Sequence, residues 1–262
     1  MKKLNLIIWF SFLATSFLFA QNKKIIVETG EEILWAGVDR PGDLFLLFPS
    51  GEVQKFNNEG MLIGKYLFPS VPTLIDPGDG VQSFYYIRKG NKFGNLSADM
   101  SLLSEKVVDP AFAISPWLVC PSLRELWIFD SSDFSIKKTK LRSTTISYEA
   151  SLKHLPKKNI EDYQYLREYQ NYLFLLDKNA GVHLISSLGK FIRTLGEKGI
   201  DFFNFLGEEI YYVKGDELIL IDLYTDEIRK LKLPQPCKMA LVTDNTLYTI
   251  EKNRVVIYDF KP

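Results

Sequence analysis

Apolar residues in this chain come in short runs of four to six, punctuated by Gly, Asn, Asp and Ser. Runs of that length bounded by turn residues predict β-strands joined by hairpins. One block recurs: four apolar or aromatic residues, a turn, a second strand, another turn, then a third strand. Its openings are Leu44-Phe45-Leu46-Leu47, Phe84-Tyr85-Tyr86-Ile87, Leu126-Trp127-Ile128-Phe129, Leu173-Phe174-Leu175-Leu176, Ile210-Tyr211-Tyr212-Val213 and Leu247-Tyr248-Thr249-Ile250. They start 40, 42, 47, 37 and 37 residues apart, near the ~40–45 residues of a four-stranded propeller blade. The runs are apolar throughout rather than strictly alternating, which suits sheets covered on both faces, as stacked blades are.

Both ends of the pattern predict a closed ring. The sixth block has strands at Leu247–Ile250 and Val255–Phe260 but no third. An orphan strand, Ile25-Ile26-Val27-Glu28-Thr29, precedes the first block, and pairing it with 255–260 would complete the sixth blade. The expectation is an all-β, six-bladed β-propeller over residues 21–262, one domain, with no open sheet edge at the junction. A sandwich or an open array of hairpins is the competing arrangement. Each blade also needs an innermost strand. These are expected near Ile33–Val38, Thr73–Asp76, Phe112–Val119, Tyr163–Tyr169, Phe202–Phe205 and Lys238–Val242. The segment after Asn159 could instead be a short helix capped by that residue; the strand reading is adopted because the blade requires it. The basic loop Lys153-His154-Leu155-Pro156-Lys157-Lys158 ahead of it is an insertion, either neutral or a seat of specificity.

The fourth block, Tyr172–Asp177 through Gly181-Val182 to Gly189–Gly196, resembles NHL-type propeller repeats. The sixth, Glu251-Lys252-Asn253-Arg254 to Asp259, keeps a similar Asn-Arg-apolar-Asp turn. The resemblance spans 171–262, is weaker over 43–68 and is poor over 84–170. It implies a propeller of a kind that mostly binds proteins, nucleic acids or small ligands, with a few lyases or lactonases that use metals in the channel. The matching residues carry the fold only, so no activity transfers with them.

Composition narrows the function. Lys and Arg number 32 and so do Asp and Glu. A net charge of zero argues against nucleic acid as a partner, which calls for a basic face. Met1–Ala20 reads as a secretory signal peptide: Lys2 and Lys3, an apolar stretch from Leu6 to Phe19, then small Ala20 before polar Gln21. The stretch is shorter than the ~20 apolar residues of a membrane anchor, the competing reading. Its Phe-Ala-Gln end resembles export signals of Bacteroidetes-type bacteria. The protein is therefore expected in the periplasm or secreted, and not membrane-spanning once the leader is cleaved.

Candidate chemistry is sparse. His154 lies in the basic loop and His183 in an apolar strand, where a structural role is the simpler one. No Gly-x-Ser-x-Gly elbow occurs. Two His and two Cys, all far apart in sequence, are poor material for zinc. Asp76-Pro77-Gly78-Asp79-Gly80 is the best calcium-like fragment and reads more simply as a turn. Cys120 and Cys237 fall in blades three and six, opposite each other in a ring, so two free, largely buried thiols are expected. A carboxylate-pair glycosidase has no residues that single it out. No catalytic residue, metal or cofactor is assigned. The inner strands are instead rich in aromatics, and Trp35, Trp117, Tyr165, Arg167 and Phe203 are the candidate channel-mouth surface. The function expected is a non-catalytic, extracytoplasmic protein-interaction module whose partner is another envelope protein. The alternative is a small-ligand or carbohydrate site at the channel mouth.

Overall fold

In the computed structural model, residues 23–123, 125–140, 145–155 and 159–260 are described. The leader Met1–Ala20 lies outside the described residues, as does the Pro156–Lys158 part of the basic loop.

The described chain is a ring of six antiparallel four-stranded sheets. β1 (Lys23–Glu28) comes first and belongs to the last blade. Blade one runs outward through β2 (Trp35–Val38), β3 (Leu44–Leu47), β4 (Glu52–Phe56) and β5 (Leu62–Leu67). Blade two is β6 (Leu74–Asp76), β7 (Gln82–Ile87), β8 (Lys92–Ser97) and β9 (Leu102–Val107). Blade three is β10 (Pro116–Pro121), β11 (Glu125–Asp130), β12 (Ser135–Lys140) and β13 (Ile146–Ser151). Blade four is β14 (Tyr163–Tyr169), β15 (Tyr172–Asp177), β16 (Gly181–Ile185) and β17 (Phe191–Leu195). Blade five is β18 (Asn204–Leu206), β19 (Glu209–Lys214), β20 (Glu217–Asp222) and β21 (Ile228–Lys232). Blade six is β22 (Met239–Val242), β23 (Thr246–Ile250) and β24 (Arg254–Asp259), with β1 as its outermost strand.

That last pairing is the closure expected from the orphan segment. Ile25 lies opposite Ile257, Ile26 opposite Val256, Val27 opposite Val255 and Glu28 opposite Arg254. The reason is energetic. Val255, Val256 and Ile257 are almost fully buried, and without β1 the edge of β24 would present unpaired backbone beside them. Each inner strand falls within or beside its expected segment. At Asn159 both readings hold in part: its side chain caps a 3-10 turn, Ile160–Asp162, which then leads straight into β14.

Neighbouring blades are joined by two repeated devices. The first is a tyrosine from a second strand that reaches the next blade. Tyr86 donates to the Pro116 carbonyl at 2.6 Å, the Tyr211 hydroxyl accepts from Val242 N at 2.8 Å, and Tyr248 donates to the Gly42 carbonyl at 2.8 Å. The third of these crosses the six-to-one junction, so that junction is built like the others. The second is the turn between third and fourth strands, which leans on the outer strand of the preceding blade. Asn57 and Ser97 each use the side chain to accept from the backbone of their own turn. Residue Gly60 or Met100, three positions on, has positive φ. The Gly60 turn rests on Ile25 and Val27 of β1, where an added Cβ would sit 2.9 Å from the Ile25 side chain. The Met100 turn rests in the same way on Gly64 of β5.

Between the blades lie the rings that the composition announced. Trp127, Tyr85, Tyr86, Tyr163, Tyr211 and Tyr248 are essentially inaccessible to solvent. Among the described residues two buried lysines sit in compensated clusters. Lys55 lies 3.1 Å from Asp39 and 3.0 Å from Asp43. Lys137 lies 2.8 Å from Asp130 and 2.7 Å from Asp133. Cys120 and Cys237 are both free; Cys120 is buried and Cys237 only partly so.

Candidate functional site at the channel mouth

The inner strands begin at one end of the ring, and residues at or near the starts of those of blades one, two, four, five and six line a cavity of about 260 Å³. Trp35 opens β2, Leu74 opens β6 and Met239 opens β22; Phe202 comes just before β18 and Tyr165 near the start of β14. The walls are therefore apolar and aromatic. Gln164, Thr73, Asp201 and Lys238 are the polar residues that reach it.

Two local features set this geometry. The first is Gly37, two residues after Trp35 on the same face of β2. A Cβ at Gly37 would overlap the six-membered edge of the Trp35 ring and come 2.9 Å from the Pro77 ring. The indole thus lies flat across a residue that has no side chain to push it off. Gly37→Ala is expected to turn Trp35 out of the cavity wall. The cost should be about 1–3 kcal/mol, the usual range for overpacking. A urea melt and the indole emission maximum check it; an unchanged spectrum and midpoint would contradict the packing described.

The second feature is a register shift in β14 between Tyr163 and Tyr165. The extra residue is Gln164, which is exposed and lines the cavity while its two tyrosine neighbours are buried. A β-bulge re-aims one side chain in this way. β10 shifts similarly between Pro116 and Leu118, around Trp117.

The expected surface residues divide. Trp35 and Tyr165 line the cavity together. Arg167, two residues beyond Tyr165 on β14, donates to Asn204 Oδ1, which also accepts from Phe205 N at 2.9 Å. Arg167 is half-buried, with Tyr165, Asp76 and Tyr211 in electrostatic range. Trp117 stands outside the cavity as a brace between blades. Its Nε1 donates to the Tyr163 carbonyl at 2.8 Å, and the Arg88 guanidinium stacks on it at 3.4 Å. Phe203 is wholly buried against Tyr165, Phe174 and Phe205. Its neighbour Phe202 faces the cavity instead. Sequence reasoning missed Phe202, Gln164, Asp201 and Lys238. Strand alternation could have separated Phe202 from Phe203, but nothing in the sequence marks the bulge.

Burial pushes the Tyr165 and Tyr211 phenols up. It pushes the Cys120 thiol up as well, and that of Cys237 to about 11. Both cysteines are thus thiols at neutral pH, the unreactive form. His183 lies in blade four, with Nδ1 2.9 Å from Thr194 Oγ1 and Nε2 3.3 Å from Asp177 Oδ2. Asp76–Gly80 forms a turn in which Asp76 accepts from Gly78 N and Asp79 from Val81 N. Among the described residues no three His, Cys, Asp or Glu side chains gather to hold a metal ion.

No protein-family model matches this chain, and neither does any curated protein sequence. Solved structures do match. The WD40 domain of Neurospora crassa Pan2 is similar with a TM-score of 0.61 at 7% identity, over 91% of this chain and 95% of that one. The β-propeller domain of Myceliophteria thermophila Cps50 (Swd1) gives 0.59 at 12% identity, over 92% and 100%. The extracellular domain of BT4673 from B. thetaiotaomicron gives 0.55 at 13%, over 87% of this chain and 33% of that one. The chain is an all-β six-bladed propeller. At such low identities the likeness is one of fold, and fold alone does not carry function.

Proposed function

We propose that this protein is a non-catalytic propeller that acts as a protein-interaction module in the cell envelope, with another envelope protein as its partner. The observation that carries this reading is the mouth: an apolar and aromatic cavity, fixed by strand starts, where the Gln164, Asp201 and Lys238 side chains make no hydrogen bond or ion pair among the described residues. Binding surfaces have that composition, whereas a hydrolytic centre needs converging groups with matched pKa values. The outer strands add to it. Leu62 and Leu67 on β5 and Leu102, Leu103 and Val107 on β9 are 46% to 62% exposed. Apolar side chains that exposed on adjacent blades suit a protein partner. The envelope location rests on the leader-like Met1–Ala20. The resemblance of the turns in blades four and six to NHL-type repeats supports a binding propeller. A small-ligand or carbohydrate site is the second reading, favoured by the rings of Trp35, Tyr165 and Phe202 at the same cavity.

Affinity purification of the protein from its own envelope tests the proposal. One reproducible protein partner, recovered from the periplasmic or secreted fraction, is the expected result. A partnerless monomer that turns over sugar or lactone substrates would overturn it.

A further inference from the structure

We propose that the mouth cavity is a socket for one aromatic side chain of an extended peptide whose flanking residues carry opposite charges. The inference rests on the protein-interaction reading and supplies the chemistry of the partner.

Volume selects the kind of ligand. The cavity, about 260 Å³, lies below the ~300–1,000 Å³ that encloses a whole small molecule. It suits a single inserted side chain with its backbone left outside. The walls select an aromatic one: Trp35, Tyr165 and Phe202 supply rings, and Leu74 and Met239 fill the space between them. A preformed pocket for one aromatic anchor, ringed by polar groups, is how interfaces concentrate their binding energy.

The rim selects the flanks. Asp201 and Lys238 border both this cavity and a smaller one between blades five and six. Both are exposed. Among the described residues neither makes an ion pair, with the other or with any third group. A ligand of one sign is attracted by one of them and repelled by the other. A peptide with an acidic residue on one side of the aromatic and a basic residue on the other matches both. Gln164, lifted to the rim by the bulge, offers an amide donor and an acceptor, the two contacts one peptide unit needs.

Calorimetric titration of the purified protein tests this with acetyl-Gly-Asp-Phe-Lys-Gly-amide and the reversed-charge acetyl-Gly-Lys-Phe-Asp-Gly-amide. Controls are the same peptides with Phe→Ala, and free L-phenylalanine. One charge order should bind at least about ten-fold more tightly than its Ala version and than the free amino acid. Val71→Arg, at a wall position 40% exposed, should weaken it about ten-fold without shifting the melting temperature. Lys238→Glu leaves two acids at the rim and should abolish the preference for one charge order, and Asp201→Lys combined with Lys238→Asp should invert it. Equal binding of Phe and Ala peptides, indifference to Val71→Arg, or free phenylalanine binding as well as the peptide would each overturn the socket. Failure of the two readings is separable. If wild type and Val71→Arg capture the same envelope partner equally, the interaction module stands and the socket falls. If the peptides bind in the expected pattern and no partner is captured, the socket stands alone.

Discussion

Removing β1, residues 23–28, is expected to destabilise the protein and to make it self-associate. Five residue pairs of the β1–β24 ladder would go, with net hydrogen-bond contributions of about 1 kcal/mol each. Buried Val27 and partly buried Ile25 go with them, at roughly 1.5–3 kcal/mol for a fully buried aliphatic side chain. The turn at Gly60 would lose the surface on which it rests. These losses together are comparable with the whole ~5–15 kcal/mol stability of a typical domain. The bared edge of β24 would then offer its backbone to another chain. Size-exclusion chromatography and urea melts check the prediction, and a truncated protein with the elution volume and midpoint of the full-length one would refute it. A milder variant, Val27→Asp, buries a charge at the same seam and should destabilise in the same direction while the strand remains.

Asp130→Ala should be the most damaging single substitution among the charged residues. This carboxylate is fully buried and serves as a hub. It accepts from Ile114 N at 3.0 Å, Ser115 N at 3.1 Å, Ser132 N at 3.0 Å, Ser132 Oγ at 2.7 Å and Lys137 Nζ at 2.8 Å. Truncation takes the buried one of two carboxylates from the Lys137 ammonium, which keeps Asp133 at 2.7 Å, and orphans the backbone donors; breaking a buried pair typically costs about 3–5 kcal/mol. At roughly 2–4 °C per kcal/mol for a chain of this size, the melting temperature should fall by about 10 °C. Asp130→Ala/Lys137→Met should recover part of the loss, because the buried ammonium that has lost its buried partner goes too.

The same hub has a pH signature. Burial alone would raise the Asp130 pKa, but the Lys137 ammonium and the Ser132 and Ser115 donors outweigh it and hold the carboxyl at about 2, below its ordinary 3.8. The folded state therefore binds this proton less tightly than the unfolded chain does. Its stabilisation is complete above the ordinary carboxyl value and fades as pH drops from about 4 towards 2. Asp130→Ala should lack that component, so the stability difference between it and wild type narrows in this window. A gap that holds constant or widens there would contradict the assignment.

The architecture was readable because a propeller repeats itself. The aromatic openings at Phe84, Leu126, Leu173 and Ile210 mark second strands, and the orphan Ile25–Thr29 needs the edge that Val255–Phe260 leaves open. The free pair Cys120 and Cys237 followed from ring position alone. The site was less readable. Trp35 and Tyr165 could be named because aromatics at the starts of inner strands face the channel. Gln164 could not, since its exposure comes from a bulge and Tyr163-Gln164-Tyr165 looks like ordinary alternation. Asp201 and Lys238 are separated by all of blade five in sequence, and only the curvature of the ring brings them to one rim. Trp117 shares its residue type with Trp35 but meets Arg88 and the Tyr163 carbonyl, partners from other blades that no local pattern announces.

The most direct test of the ring is a covalent lock on its seam. Glu28 and Arg254 are directly paired across β1 and β24, and opposite residues in such a ladder have Cα atoms about 4.5–5.5 Å apart, within disulfide reach. Glu28→Cys combined with Arg254→Cys should oxidise to an intramolecular bridge, seen as a faster non-reducing gel band and confirmed by peptide mapping, with a higher melting temperature that reductant abolishes. Introduced thiols that stay free, or that link only between separate molecules, would show that the chain does not close head to tail.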